Sequence, residues 1–258
     1  MSDNRYRLSE IFFSIQGEGE YAGTPTLWAR VFGCNLKCPG FPCDTEYSWN
    51  KEFRDQHNTY SAQEIFEKMK SLITDEYNPD GKLVHPLTGN NIHLAFTGGE
   101  PLLKKYQPMI MEVVDLFRQE NEFVFFTMET NGTQELTTEF KNWLTQTDAE
   151  PFFSISPKLE SVAGERDAVD IENICNLLLY GRGQIKFVAN DSEECLTEVL
   201  KYTKILSDWV LDNLWIMPIG ETVEEQLQVA PIVERYQQLG FKIATRNHCY
   251  IWSNSKNR

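Results

Sequence analysis

The stretch TLWARVFGCNLKCPGFPC, residues 26–43, joins an apolar segment to three closely spaced cysteines. Its first part, TLWARVFG, is rich in apolar, β-branched and aromatic residues, which is typical of a strand. Cys34 follows this strand directly, and Cys38 and Cys43 lie on the loop after it. The stretch therefore predicts a buried strand that ends in a loop carrying three thiols.

Similar apolar runs recur along the chain and alternate with helical patterns. They lie at residues 91–98, 123–130, 151–156, 184–189, 214–219 and 241–246. Strand and helix thus alternate about six times, which predicts one α/β domain over residues 1–258 with mostly parallel strands. We expect a complete or partial (β/α) barrel, with an open doubly wound sheet as the alternative. In either fold the ligand site lies at the carboxyl ends of the strands.

Four helices have recognisable starts. They are residues 61–74, with a capping box from Ser61 to Glu64; residues 101–120, with Pro101 in the first turn; residues 191–206, capped by Asp191; and residues 222–239, capped by Thr222 and closed by Gly240. Pro108 should kink or break the second of them. Two polar segments, residues 50–60 and 74–90, are interpreted as loop insertions near the site. One interpretation is that they form a lid over it.

The charge balance restricts the class of partner. Among 258 residues, 24 Lys and Arg stand against 38 Asp and Glu, a net charge of −14. A nucleic-acid-binding surface needs a basic face, so we expect no nucleic-acid partner. The N-terminal MSDNRYRLSE lacks the apolar run of a secretory signal, and no apolar stretch is long enough to span a bilayer. The expected location is the cytoplasm, where thiols stay reduced.

Three thiols on one loop predict a metal centre. A structural zinc site needs four protein ligands, and the nearest histidine, His57, lies on a polar segment. Three thiolates suit an iron–sulfur cluster that leaves one iron open for another ligand. Of the other cysteines, Cys175 and Cys195 lie on apolar helix faces and are interpreted as core residues.

Cations within apolar strands point to a cavity. Lys186 interrupts QIKFVA and Arg30 interrupts TLWARVFG, while Lys158 and Arg246 stand at strand ends. A buried cation needs a partner, so the four together predict a cavity that receives carboxylates. The alternative for each one is a surface charge whose long stem reaches water.

Six motifs resemble the radical S-adenosylmethionine superfamily and, within it, the 7-carboxy-7-deazaguanine synthase family. They are SIQGEG (14–19), GCNLKC (33–38), CDTEYSW (43–49), TGGEP (97–101), ETNGT (129–133) and ISPK (155–158), and the similarity runs along nearly the whole chain. The resemblance implies a partial or modified (β/α) barrel and a carbon–nitrogen lyase. Such enzymes use a 4Fe-4S cluster, S-adenosylmethionine and Mg²⁺ to convert 6-carboxy-5,6,7,8-tetrahydropterin to 7-carboxy-7-deazaguanine and ammonia. The cofactor supplies a 5′-deoxyadenosyl radical and is regenerated.

The resemblance also implies a role for individual residues. Those implied are Cys34, Cys38 and Cys43 for the cluster; Gly98, Gly99, Glu100, Asn131, Ser156, Lys158, Met217 and Pro218 for S-adenosylmethionine; Gln16, Glu18, Arg30, Thr97 and His248 for the pterin; and Thr45 for Mg²⁺. Asp44 would either join Thr45 or cap the loop. The family further implies a flavodoxin-like reductant and a homodimer, in the biosynthesis of queuosine or another 7-deazapurine.

One spacing departs from the family. Most members carry C-x3-C-x2-C, whereas four residues separate Cys38 from Cys43 here, and Phe41 would replace the aromatic residue usually found beside the third cysteine. Two other functions remain open. The activating enzyme of anaerobic ribonucleotide reductase shares GCNLKC and GGEP but leaves SIQGEG unexplained. A non-catalytic zinc-loop binding module is the second.

Overall fold

A computed structural model describes residues 4–40, 43, 45–206 and 213–253 of the chain. The strands within these residues are β1 Tyr6–Ile15, β2 Pro25–Val31, β3 Asn58–Tyr60, β4 His93–Gly98, β5 Phe125–Thr130, β6 Glu150–Ile155, β7 Arg182–Ala189, β8 Leu214–Pro218 and β9 Lys242–Ile243. The α-helices are α1 Ala62–Ser71, α2 Gln107–Glu120, α3 Thr138–Gln146, α4 Glu160–Ala163, α5 Ile171–Leu178, α6 Glu193–Leu206, α7 Val223–Gln226, α8 Ala230–Gln237 and α9 Asn247–Trp252.

The strands form one sheet in the order β3-β1-β2-β4-β5-β6-β7-β8-β9. From β2 onward each strand pairs in parallel with the next one in that order, while β1 pairs antiparallel with both β2 and β3. A doubly wound sheet reverses its order at a switch point, whereas the parallel part of this sheet, from β2 to β9, follows the order of the chain. The sheet is not closed, so the prediction of a partial barrel is confirmed.

The two faces of the sheet differ in chemistry, because neighbouring side chains of a strand point to opposite faces. On one face Leu27, Phe96 and Phe126 are fully buried in the main apolar core that also takes in the helices. On the other face polar residues such as Arg30 and Thr97, which pair in register, line a cavity. The barrel interior is thus polar near the carboxyl ends of the strands.

Aromatic rings fill the same interior at the amino ends of the strands. The centroid of the His93 ring lies 4.1 Å from that of Phe125, and the Tyr21 ring lies 4.7 Å from Phe125 and 4.9 Å from Phe152. Tyr21 belongs to a short 3₁₀ turn, Gly19–Tyr21, after β1. The interior is therefore aromatic at the amino ends of the strands and polar at their carboxyl ends.

The aromatic layer should make stability depend on pH. Burial lowers the pKa of His93 from 6.5 to about 4, so as the pH falls the unfolded chain is protonated first. The contribution of neutral His93 to the free energy of unfolding is therefore fully present above pH 6.5, and it is lost as the pH drops toward 4. At about 1.4 kcal/mol per pKa unit, this group should remove about 3 kcal/mol from the free energy of unfolding. Urea unfolding at both pH values should show a smaller loss for His93→Phe, and equal losses would contradict the prediction.

Helix starts were predicted with mixed success. The capping box of Ser61 and Glu64 is confirmed, with both hydrogen bonds present, as is the Thr222 cap. Pro101 is not in a helix: α2 begins at Gln107, and Pro108 occupies its first turn, where a missing N–H costs nothing.

Two further helix predictions were wrong. Ser192, not Asp191, caps α6, since its hydroxyl oxygen accepts from the N–H of Cys195 at 3.1 Å. Residues 222–239 form two helices rather than one, because Pro231 stands in the first turn of α8 and ends the preceding turn.

The two polar segments take up different places in the fold. Within residues 50–60, Asn58–Tyr60 form β3 at the edge of the sheet. In residues 74–90 the Asn78 side chain bonds both the N–H and the carbonyl of Lys82, whose ammonium reaches the carbonyl of Glu120 at the end of α2. That end of α2 lies opposite the cavity. Within the described part of the chain, no helix is both long and apolar enough to cross a membrane.

Candidate active site

A cavity of about 320 Å³ opens at the carboxyl ends of the strands. All the residues implied by the family motifs lie on its wall except Glu100. Those on the wall are Gln16, Glu18, Arg30, Cys34, Cys38, Cys43, Thr45, Thr97, Gly98, Gly99, Asn131, Ser156, Lys158, Met217, Pro218 and His248. Residues far apart in sequence therefore meet at one place, as expected for parallel strands that end at one edge.

The thiols lie on one side of this cavity. The N–H of Leu36 donates to the Cys34 sulfur at 3.4 Å, and the Asn131 amide nitrogen lies 3.9 Å from the same sulfur. Cys38 is buried and has a left-handed backbone with φ of 46°. The Cys43 sulfur lies 3.5 Å from the Thr45 hydroxyl. All three cysteines thus line the same cavity.

The donor set fits an iron–sulfur cluster. Burial raises the pKa of Cys34 to about 12 and that of Cys38 to about 11, so the free thiols stay protonated until a metal displaces the protons. Thiolates are the preferred ligands of such clusters. No group of three or more His, Cys, Asp or Glu close enough to hold a single metal ion occurs among the described residues. A cluster that takes one thiolate on each of three irons does not require such a group.

The two glycines of TGGEP allow a close backbone contact with the start of the cysteine loop. Gly98 has φ of 133°, and a Cβ there would lie 2.4 Å from the carbonyl oxygen of Val31. A Cβ on Gly99 would lie 2.1 Å from the carbonyl oxygen of Gly33. Larger residues would push the strand end away from Cys34.

Glu100 lies behind this turn instead of on the cavity wall. It is fully buried, and its two oxygens accept from the N–H of Leu102, the N–H of Asn131 and the hydroxyl of Thr130, at 2.8–2.9 Å. Burial raises the pKa of Glu100 to about 7 despite these donors. Its observed contacts tie the ends of β4 and β5 together.

The cavity wall contains a further carboxylate, Glu129, to which the family motifs assigned no role. Glu129 accepts from the Thr97 hydroxyl at 2.9 Å and from the Gln16 amide at 3.2 Å. It pairs in register with Ser154 of β6, another cavity residue. The alternation along FVFFTMET could have identified it, because a carboxylate on the inner face of a parallel strand is uncommon.

Glu18 is held by two cations. Its carboxylate lies 2.7 Å from the Lys186 ammonium and 3.2 Å from Nε of Arg246. Burial alone would raise the pKa of Glu18, but Lys186, Arg246 and His248 together hold it well below its ordinary range. Burial likewise opposes the charge on Lys186, yet Glu18 and Glu129 raise its pKa. The acid and both cations are therefore charged at neutral pH.

Arg30 has its own carboxylate. Its Nε donates to Glu10 at 2.8 Å, the Tyr47 hydroxyl donates to the same oxygen at 2.7 Å, and the guanidinium lies 5.7 Å from the centre of the Phe12 ring. Three of the four predicted cavity cations thus contact acids of the chain itself. The fourth, Lys158, donates to the Ser156 hydroxyl at 3.1 Å.

The last residues of the described chain complete the wall. The N–H of Asn247 donates to the carbonyl of Gly17 at 2.9 Å, and a Cβ on Gly17 would lie 2.1 Å from Nδ1 of His248. His57, the candidate fourth zinc ligand, instead bonds the carbonyl of Tyr47 through Nε2 at 2.7 Å. The predictions for Phe41 and Asp44 lie outside the described residues.

Comparison with known families agrees with this geometry. The model of a 4Fe-4S single cluster domain matches residues 15–150, which include the cysteine loop and TGGEP. The chain belongs to the 4Fe-4S single cluster domain family. Cys34, Cys38 and Cys43 all lie within the matched residues.

Relatives of this 4Fe-4S chain resemble it over nearly its whole length. A 7-carboxy-7-deazaguanine synthase of Rhodopirellula baltica is 29% identical over 244 residues, which cover 90% of this chain and 80% of that protein. One of Halobacterium salinarum is 26% identical over 96% of this chain and 91% of its own length. The crystal structure of QueE from Escherichia coli superposes with a TM-score of 0.60 over 95% of both chains at 19% identity, so the two share a fold.

Proposed function

We propose that this chain is a radical S-adenosylmethionine enzyme that converts 6-carboxy-5,6,7,8-tetrahydropterin to 7-carboxy-7-deazaguanine and ammonia. The observation that carries the proposal is the single cavity in which three thiols face a wall of buried acids, amides and cations. The similarity to 7-carboxy-7-deazaguanine synthases over nine-tenths of the chain supports the choice of substrate. When bound, the cluster and S-adenosylmethionine supply the one-electron chemistry that starts the reaction.

The thiol side of the cavity is the proposed place of the cofactor. Cys34, Cys38 and Cys43 would hold the cluster, and Gly98 and Gly99, which lie on the same wall, would border the methionine end of the cofactor. The polar groups of Asn131, Ser156 and Lys158 would bind its ribose and carboxylate. Met217 and Pro218 offer an apolar contact for adenine. Each of these residues lies on the cavity wall.

The polar wall across from the thiols is the proposed place of the pterin. The pyrimidine half of a pterin presents amino and ring N–H donors, which suit the carboxylate of Glu129 and the amide oxygen of Gln16. Arg30, oriented by its bond to Glu10, suits the carboxylate of the substrate. Thr97, Glu18 and His248 would border the same ring system. The pKa of Glu18 is lowered, so it would remain an acceptor through the reaction.

Mg²⁺ is proposed to join Thr45 to the substrate carboxylate. Mg²⁺ prefers oxygen ligands and keeps several waters, so one hydroxyl from the protein with the substrate and water as further ligands is a suitable arrangement. The Thr45 hydroxyl lies beside the Cys43 sulfur, which would set the metal near the cluster. Removal of Mg²⁺ should lower turnover without removing iron.

Further parts of the proposal concern the setting of the enzyme. We expect a flavodoxin-like protein as electron donor, a homodimer in solution, and a cytoplasmic location in the biosynthesis of queuosine or another 7-deazapurine. Size-exclusion chromatography with light scattering would test the dimer. Turnover with reduced flavodoxin in place of a chemical reductant would test the donor.

Anaerobic turnover tests the reaction itself. The reconstituted protein is incubated with carboxytetrahydropterin, S-adenosylmethionine and dithionite, with and without Mg²⁺, and the product is identified by mass spectrometry. Formation of 7-carboxy-7-deazaguanine supports the proposal. A protein that carries its cluster but yields no deazaguanine would favour the ribonucleotide reductase activase, and a colourless protein with zinc and no iron would favour the binding module.

Arg30→Ala should mainly weaken substrate binding. A hydrogen bond to a charged group contributes about 1.5–3 kcal/mol, so we expect KM for the pterin to rise by roughly ten- to a hundredfold, with a smaller change in kcat. Steady-state kinetics measure both. The control is Glu10→Gln, which removes the charge beside Arg30 but leaves the guanidinium, and should change KM less. An unchanged KM in Arg30→Ala would contradict this role.

A further inference from the structure

The lengthened cysteine loop rests on the turn that follows α4. One carboxylate oxygen of Glu165 accepts from the backbone N–H groups of both Lys37 and Cys38, the latter at 2.7 Å. Two residues further along the loop, the N–H of Gly40 donates to the carbonyl of Ala163 at 2.8 Å. The loop is thus attached to this turn by its main chain.

The contact between loop and turn is too close for side chains. A Cβ on Gly40 would lie 2.5 Å from the carbonyl oxygen of Val162. Gly164, across the contact, has φ of 69°, and a Cβ there would lie 2.9 Å from the Gly40 nitrogen. Two glycines therefore allow the backbones to meet.

The turn itself is anchored from α6. The carboxylate of Glu198 accepts from the N–H of Glu160 and the N–H of Ser161, both at 2.9 Å, and from the Ser161 hydroxyl at 2.6 Å. These bonds satisfy N–H groups in the first turn of α4, which no helical partner could bond. Glu165 therefore extends from a fixed support.

Cys38 needs such support. Its φ of 46° lies in the left-handed region, which disfavours residues other than glycine. In this conformation the successive N–H groups of Lys37 and Cys38 converge, and converging N–H groups form a concavity that binds an anion. The half-buried Glu165 carboxylate occupies that concavity.

We propose that Glu165 is a positioning residue for the cluster: by binding these two N–H groups it fixes Cys38 in the conformation that directs its sulfur into the cavity. Because it is also a negative charge close to a cluster ligand, it disfavours the added electron of the reduced cluster and keeps the reduction potential low. The inference rests on the cluster part of the proposed function and not on the pterin reaction.

Two substitutions separate the hydrogen bonds from the charge. Glu165→Gln keeps an oxygen that can accept from both N–H groups but removes the charge, whereas Glu165→Ala removes both. The matched control is Glu160→Gln in α4, the short helix that precedes this turn; the Glu160 side chain is exposed and pairs with Arg166. Reconstituted proteins are compared by the rate of iron loss to a chelator and by the cluster midpoint potential, both measured without pterin.

We expect Glu165→Ala to lose iron about tenfold faster than wild type or more, the usual effect of removing a residue that supports a metal ligand. Glu165→Gln should retain iron nearly as wild type does, with its potential shifted to more positive values. Glu160→Gln should match wild type in both. If Glu165→Ala does not fold, the cluster midpoint potential of Glu165→Gln tests the inference on its own.

Three results would overturn the inference. They are wild-type iron retention in a folded Glu165→Ala, an unshifted potential in Glu165→Gln, and a Glu160→Gln as impaired as the Glu165 variants. A wild-type protein that holds no iron would overturn the proposed function as well. A wild type that holds iron but does not convert the pterin would refute only the proposed substrate, since neither readout uses it.

Discussion

Cys38→Ala is expected to give a folded protein that holds no intact 4Fe-4S cluster and has no turnover. Cys38 is one of three cysteines that line the cavity. With two thiolates remaining, the cluster would lack a ligand on a second iron. The measurements are iron and sulfide per chain after anaerobic reconstitution, the visible absorption of the cluster, and deazaguanine formation.

Cys175→Ala is the matched control for this substitution. Cys175 lies half-buried on α5 and packs against the main apolar core, away from the cavity wall. The control should keep wild-type iron and turnover, because it removes a thiol without touching the cysteine loop. A Cys38→Ala protein with full iron content and turnover would refute the assignment of the cluster to this loop.

Lys186→Met is expected to lower the free energy of unfolding by about 3 kcal/mol, in the range seen when one partner of a buried ion pair is removed. The Lys186 side chain is 3% exposed and that of Glu18 is 14% exposed, so water cannot replace the lost ammonium. Glu18 would keep only Arg246 and His248 nearby. Urea unfolding at pH 7 measures the change.

Arg182→Met provides the comparison within the same strand. Arg182 pairs with Glu20 at the same 2.7 Å separation as Lys186 with Glu18, but its side chain is 68% exposed. Exposed pairs contribute only about 0–1 kcal/mol, so this variant should stay within about 1 kcal/mol of wild type. Equal losses of unfolding free energy in the two variants would mean that burial does not determine how much the Lys186–Glu18 pair contributes to stability.

The sequence was sufficient to predict the parallel strands and the location of the site. Buried parallel strands are nearly continuous apolar runs, and the runs at residues 26–33, 151–156 and 184–189 are recovered as β2, β6 and β7 with shifts of two residues or fewer. Their carboxyl ends converge whichever loop follows. The motifs at those ends were therefore brought into one cavity by topology alone.

Other features depend on tertiary contacts that local patterns do not carry. β1 was not predicted, because YRLSEIFFSI mixes polar and apolar residues around an irregularity between Leu8 and Glu10 and alternates poorly. Pro101 and Pro108 are equally acceptable in a first helical turn, so the local pattern does not decide between them, and the structure places only Pro108 there. The alternation along FVFFTMET indicates Glu129 as an inward-facing residue, but its partners Gln16 and Thr97 come from elsewhere in the chain and no local pattern indicates them.

The cations illustrate the same limit. Arg30, Lys186 and Arg246 were expected to meet carboxylates, and they do, but the carboxylates belong to Glu10 and Glu18 of the chain itself. Glu18 and Lys186 are separated by 168 positions in sequence, a distance over which no sequence pattern indicates pairing. The sequence therefore indicates that these buried cations need carboxylate partners, but it does not indicate which residues supply them.

The contacts of Gly17 and Glu18 with Arg246, Asn247 and His248 have a consequence for biosynthesis of the chain. A nascent polypeptide that has not yet emerged beyond position 240 has an exposed acid and an unfinished pocket. The cavity wall can therefore be completed only after residues 246–248 have been synthesised. Deletion of residues 246–253 should leave the sheet in place but remove this part of the cavity wall.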